Sequence, residues 1–221
     1  MGVAAYDAYA DWYEAYASDT ANAYQTQVRG RLRDLLGAGS GSCLDLCCGT
    51  GLQAAELRAL GWRPVGVDLS AGQLRHARPR LPVARGDGAA LPVADASVPA
   101  VACVLAHTDV PDYPAVVAEA ARVLAPGGRF VHVGVHPCFT GAFADRSDPE
   151  RIVIDGGYAD RERSFRAWSP HGVRVRVGAW HVPLADLLNA VTDAGLTLVR
   201  TAEAGVGPVP DLFAFLATRP N

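Results

Sequence analysis

The sequence predicts an α/β protein: one domain built on an open, doubly wound, mostly parallel sheet of seven strands. Three observations carry this. From residue 43 onward, short apolar runs alternate with stretches at helical spacing. The run over 99–106 is apolar throughout, as in a strand covered on both faces. Polar residues then end five successive runs, at Cys47, Asp68, Asp87, His107 and His136. In sheets of this kind ligands bind outside the carboxyl ends of the strands. The chain has 221 residues, half of them apolar, enough to bury one core across 1–221.

The elements follow in order. Residues 6–36 are spaced as two helices split near Ser18-Asp19-Thr20, and the glycine-rich stretch 37–41 stops them. Residues 1–40 thus form a helical amino-terminal cap. Residues 43–47 predict the first strand, 52–60 a helix, 64–67 a strand and 71–78 a helix. Ser70 followed by Gln73 reads as a capping box for that helix. A short strand over 83–85, the long strand 99–106, and a helix over 114–124 with one apolar face come next. Pro126-Gly127-Gly128 ends that helix before a strand over 129–135. The alternation then lapses. Residues 136–180 are an insertion, expected to act as a partial lid, before a helix over 184–194 and strands over 196–201 and 212–218.

Composition narrows the function. A net charge of −3 without a basic run argues against a nucleic-acid partner. Every basic residue apart from histidine is arginine. With no lysine, both a P-loop and a pyridoxal-phosphate Schiff base are excluded. The five cysteines form no CxxC pair; Cys43 and Cys103 lie in apolar runs and are expected to be buried. The acidic start at Asp7, Asp11 and Glu14 is unlike a secretion signal, and no apolar run is long enough for a bilayer. A cytoplasmic protein without a membrane partner is the expectation; its oligomeric state stays open.

The chemistry concentrates in Cys43-Leu44-Asp45-Leu46-Cys47-Cys48-Gly49-Thr50-Gly51, read with Asp68. Gly49 and Gly51 let the main chain approach a ligand closely. Asp68, ending the next run, is placed to accept hydrogen bonds from a ribose diol. These parts describe a nucleoside cofactor across the top of the sheet. A dinucleotide such as NAD is the competing ligand, because Gly49-x-Gly51-x-x-Ala54 also satisfies its pattern. Asp45 opposes that reading, since a carboxylate there would repel a pyrophosphate and attract an amino group.

With these residues the chain resembles the class I S-adenosylmethionine-dependent methyltransferases, in particular their small-molecule branch. Residues 43–51 are similar to the family's acidic, glycine-rich first motif, and Val65-Gly66-Val67-Asp68 to its acidic second strand. Residues 86–97 resemble its adenine-binding segment, and Leu124-Ala125-Pro126-Gly127-Gly128 the turn before the fifth strand. The resemblance implies a Rossmann-like methyltransferase fold with S-adenosylmethionine as cofactor. It implies that Asp45 and the Gly49–Gly51 loop hold the methionine portion, Asp68 the ribose hydroxyls and Asp87 the adenine amino group. Leu69 and Ala89 would pack about the base, and the amino-terminal helices, rich in tyrosine, would fold over the sulfonium. Two positions depart from the pattern. Cys47 stands where glycine is usual, tolerable if it keeps a negative φ, and Gly88 where alanine is more frequent.

The cofactor contacts expected are therefore Tyr13, Asp45, Cys47, Gly49, Gly51, Asp68, Leu69, Asp87, Gly88, Ala89 and His107. For catalysis, His107 at the end of the fourth strand is the leading general base, or else holds the 109–112 turn. His136 and His181 are further candidates, and Tyr24 joins Tyr13 on the ligand side, although helix-spaced tyrosines also serve as core. His132 reads as structural, because in a strand it stands roughly 13 Å from His136, too far for one metal ion. No metal is expected. Trp168, Trp180 and Phe139 either wall an aromatic substrate or anchor the insertion; His76 is expected to face solvent and His171 has no clear role. The function expected is methyl transfer to carbon, nitrogen or oxygen of a small aromatic natural-product intermediate, indole- or phenol-like. A cofactor-binding regulatory module and an NAD-linked oxidoreductase are the alternatives.

Overall fold

The computed structural model describes residues 4–18, 23–148, 150–167 and 172–221. Among them, seven strands form one sheet in the order β3-β2-β1-β4-β5-β9-β8. β1 (Ser42–Leu46), β2 (Arg63–Asp68), β3 (Val83–Arg85), β4 (Val98–Val104) and β5 (Leu124–Val135) run parallel. β9 (Leu212–Thr218) enters antiparallel between β5 and the edge strand β8 (Thr197–Ala204). The strand order reverses between β1 and β4, the place where such a sheet opens a crevice.

Period-two alternation sorts the strand residues between two cores. Leu44, Leu46, Val101, Cys103 and Phe130 pack with α5 (Tyr113–Val123) and α7 (Leu184–Asp193). Cys43, Ala100, Ala102, Val131 and Val133 pack with α2 (Ala23–Leu36) on the other face. α2 offers Val28, Leu32, Leu35 and Leu36, one stripe of a 3.6-residue repeat. Cys43 and Cys103 are buried, as their apolar settings predict.

Two elements differ from the sequence expectation. α3 is short, Ala54–Ala59, because residues 49–53 are taken up by turns of the glycine loop. α5 passes straight into β5 at Leu124, which pairs with Val98. The 126–128 segment becomes an irregularity inside the strand, with Gly127 at φ 71°.

The cap consists of a 3-10 turn (Asp7–Tyr9), α1 (Ala10–Ala17) and α2. Asp7 seats it on α4 (Ala71–Ala77), accepting Ser70 Oγ at 2.6 Å and Gly72 N at 3.0 Å. Ser70 caps α4 by accepting from Gln73 N at 3.1 Å, but the Gln73 side chain does not close the box. His76 does not simply face solvent; it lies 2.8 Å from Asp11.

The insertion over 136–180 carries a small hairpin of β6 (Ala144–Asp145) and β7 (Val153–Ile154), and the single turn α6 (Arg174–Val177). Trp180 N donates to Thr108 O at 2.9 Å, joining its end to the loop after β4. The Arg176 guanidinium lies 4.0 Å over the Trp12 ring, joining it to the cap. Trp168 and His171 lie outside the described residues.

Candidate active site

β1, β2 and β4 end around a cavity of about 420 Å³, roofed by the cap and within the roughly 300–1,000 Å³ typical of small-ligand sites. Tyr13, Asp45, Cys47, Gly49, Asp68, Leu69, Asp87, Gly88 and Ala89 all line it. Nine of the residues expected to contact the cofactor thus share one cavity.

Asp45 projects from β1 with its Oδ2 atom buried and without a hydrogen-bond partner. Burial, and then the Asp68 charge, push its carboxyl up to about 7. Asp68 accepts Gly49 N at 2.9 Å and Ser70 N at 2.8 Å. Burial raises its pKa nonetheless, outweighing those bonds. Asp87 is exposed and accepts Ala89 N at 2.9 Å, which fixes the turn beside the cavity.

Cys47 does not keep a negative φ. It sits at φ 57°, in the left-handed region, and Leu105, following β4, sits at φ 56°. Two neighbouring strands thus turn off the sheet through strained non-glycine residues, each costing about 1–3 kcal/mol. Gly51, at φ 76°, supports the loop from behind; a Cβ there would stand 2.6 Å from the Leu81 side chain, and Gly51 does not line the cavity.

The histidine assignments are corrected. His107 is buried and does not line the cavity, which places it away from the ligand side expected of it. Burial, with His181 and Arg174 nearby, drives its pKa down to about 3, and its ring stacks edge-on to His132 and Tyr113. β4 ends at Val104, which folds His107 inward instead of presenting it at the rim. His136 is an anchor: its Nδ1 accepts Cys138 N at 3.1 Å, leaving Nε2 to face Glu203 at 2.8 Å. His181 packs between Phe143 and Tyr158, away from the cavity, and burial lowers its pKa to about 4. Tyr24 packs against the α2 core rather than lining the cavity. Phe139 lies against His136 and Trp180 under Arg163, so both anchor the insertion. His132, fully buried, meets Tyr113 Oη at 2.6 Å through Nδ1, the structural role expected of it.

Sequence reasoning missed Asp109, Arg174 and Arg80. Asp109 lines the cavity with Tyr6 and Tyr13, and burial pushes its carboxyl up to about 7. Its only trace in the sequence is a carboxylate two residues beyond a strand-end histidine. Arg80, after α4, donates to Glu14 of α1 at 2.9 Å and to Thr50 O at 2.8 Å, tying cap to glycine loop.

Residues 43–128 match the family described as a methyltransferase domain. The matched segment is less than half of the chain, and what it is similar to is a methyltransferase domain. The chain is 32% identical over 152 residues to a demethylmenaquinone methyltransferase of Corynebacterium kroppenstedtii, covering 61% of this chain and 64% of that protein. It is 43% identical over 98 residues to a demethylmenaquinone methyltransferase of a Mycobacterium species, covering 43% of each. The chain thus spans less than two thirds of either relative. The fold of an S-adenosylmethionine-dependent methyltransferase from Mesorhizobium loti superposes with a TM-score of 0.70, at 21% identity, over 90% of this chain and 99% of that one.

The residues present suit the family's cofactor, S-adenosylmethionine. The unpartnered Asp45 oxygen is a buried acceptor for an ammonium group. The Asp68 carboxylate faces the cavity for a diol, and Leu69 and Ala89 offer apolar walls for a base.

Proposed function

We propose that the chain transfers a methyl group from S-adenosylmethionine to a small, electron-rich aromatic acceptor of the phenol or quinol kind. The observation that carries this is the unsatisfied Asp45 carboxylate, buried in a cavity otherwise furnished for a nucleoside. A buried acceptor without a donor is costly, on the order of 1–3 kcal/mol, and a cationic ligand group relieves it.

When bound, the cofactor supplies an electrophilic methyl carbon. The chain's own contribution is then largely positioning: holding two reactants in register can supply roughly 7–11 kcal/mol. Asp45, Asp68 and Asp87 fix one partner. The cap, through Ala4, Ala5 and Tyr6, and the loop after β4, through Val110 and Pro111, give the rest of the cavity an apolar wall. That wall suits an aromatic ring, and the relatives' names support a quinol. No helix among the described residues is long and apolar enough to cross a membrane.

Calorimetry with S-adenosylhomocysteine, with NAD as control, tests the cofactor; heat from the former alone is the expected result. Incubation with S-adenosylmethionine and a reduced 1,4-naphthoquinone carrying a free ring position tests the acceptor. A product heavier by one methylene is expected. Binding without any product would favour a regulatory module; heat from NAD alone would overturn the reading.

A further inference from the structure

The cavity holds one carboxylate that the cofactor does not require. Asp45, Asp68 and Asp87 are assigned above, and Asp112 is occupied as the cap of α5, accepting Ala115 N at 3.1 Å. Among the described residues no histidine lines the cavity. Asp109 remains. It sits on the loop after β4, within hydrogen-bonding reach of the Tyr6 hydroxyl, on the side of the cavity formed by the cap and Val110–Pro111.

We propose that Asp109 is the proton acceptor for the methyl acceptor's hydroxyl group. This rests on the functional reading above and deepens it.

Charged and titratable groups face Asp109 from every neighbouring element. Tyr6 and Tyr13 come from the cap, Asp68 from the end of β2, and Arg174 and Arg163 from the insertion. His107 and His181 flank Arg174 and are held neutral by burial. Burial and Asp68 disfavour the Asp109 carboxylate; Tyr6, Arg174 and Arg163 favour it. The balance leaves a base that titrates near neutrality, where proton transfer is most effective. Arg174 carries the matching signature: burial lowers its pKa and Asp109 raises it.

In the step assigned to Asp109, the acceptor O–H bond breaks and its proton passes to a carboxylate oxygen. The bonding pair stays on the acceptor and is delocalised into its ring. A ring carbon then bonds to the methyl carbon as the methyl–sulfur bond breaks, with that pair remaining on sulfur. Loss of the ring proton and return of the hydroxyl proton leave one proton released overall.

The test uses the full chain, S-adenosylhomocysteine for binding, and the same reduced naphthoquinone as acceptor. In the ligand-free chain, carbon-13 NMR of labelled aspartate is expected to show a resonance titrating near pH 7 that is missing in Asp109→Asn. Arg174→Gln should move that resonance to higher pH, because a favouring cation is gone. In turnover, Asp109→Asn should keep homocysteine-product affinity within about threefold yet lower kcat by about 10²–10⁴-fold. It should also abolish the acid limb of the pH profile, which Arg174→Gln shifts upward instead. An Asp109 resonance titrating in the ordinary carboxylate range, or an acid limb that neither substitution moves, overturns the proposal alone. A wild-type chain that binds no S-adenosylhomocysteine, or leaves the quinol unmethylated at every pH, overturns the functional reading and this proposal with it.

Discussion

Cys47 and Gly88 claim the same space: a Cβ built on Gly88 would stand 3.0 Å from the Cys47 sulfur, and 3.5 Å from Val116. The two positions at which the chain departs from the family pattern are therefore one departure. With a side chain at 47, a side chain at 88 would crowd the sulfur unless it gave way by a few tenths of an ångström.

Gly88→Ala alone should destabilise the fold by about 1–3 kcal/mol, the typical cost of overpacking, and weaken S-adenosylhomocysteine binding. Adding Cys47→Gly should recover most of both, since it removes the sulfur and suits φ 57°. A double-mutant cycle by chemical denaturation is expected to show coupling of about 0.5–3 kcal/mol. Simple additivity would refute the pairing.

Asp45 makes the ligand-free fold less stable as pH rises toward neutrality. Its folded pKa, raised to about 7, lies above the unfolded value of roughly 3.9, so the folded state binds the proton more tightly. Stability from this group is greatest below pH 4 and declines as pH rises toward 7. Asp45→Asn should raise the ligand-free Tm at pH 8, by an amount corresponding to about 1–3 kcal/mol. It should also reduce the Tm gain produced by S-adenosylhomocysteine. Thermal melts with and without ligand at pH 5 and 8 measure both.

His107 has the opposite sign. Its folded pKa, lowered to about 3, lies below the unfolded value near 6.5, so its stabilising contribution is present above pH 6.5 and is lost progressively as pH falls toward 3. His107→Leu should flatten the stability–pH curve in that window by up to about 1.4 kcal/mol per pH unit. In methyl-transfer assays the shape of its pH–rate profile should match wild type. A lost acid limb would return His107 to catalysis.

The Arg80–Glu14 clamp predicts how firmly the cap is held. Arg80 draws the Glu14 carboxyl below the usual range, so this pair stabilises above about pH 4 and fades as pH falls through the lowered value. Arg80→Ala should cost about 1 kcal/mol of overall stability, given the partial exposure of the pair. It should raise hydrogen exchange in α1 while leaving β1 and β4 protected. Uniform exchange changes in all three elements would show that the clamp is not local.

The sheet was legible because period-two and period-3.6 patterns map directly onto buried faces, as at Cys43 and Leu44. Asp45, Asp68 and Asp87 were legible because each ends or interrupts an apolar run. Asp109 was not, because its place beside Tyr6 and Tyr13 in the cavity arises only when the cap folds over the loop following β4, and no local spacing announces that. His107 misled for a related reason. The run through 99–106 predicts a strand reaching two residues past the end of β4, and the left-handed Leu105 turns the ring inward. The sign of φ at Cys47 likewise depends on the neighbouring strands rather than on its own sequence.

Four of the ion pairs among the described residues are made by guanidinium groups: Arg80 on Glu14, Arg33 on Glu56, Arg122 on Glu119 and Arg161 on Asp186. Their charge persists far into alkali, where an ammonium would have begun to fade. Amine-directed acylating reagents and cross-linkers find no side chain to attack, so the protein can be coupled through other chemistry while its internal ties stay untouched.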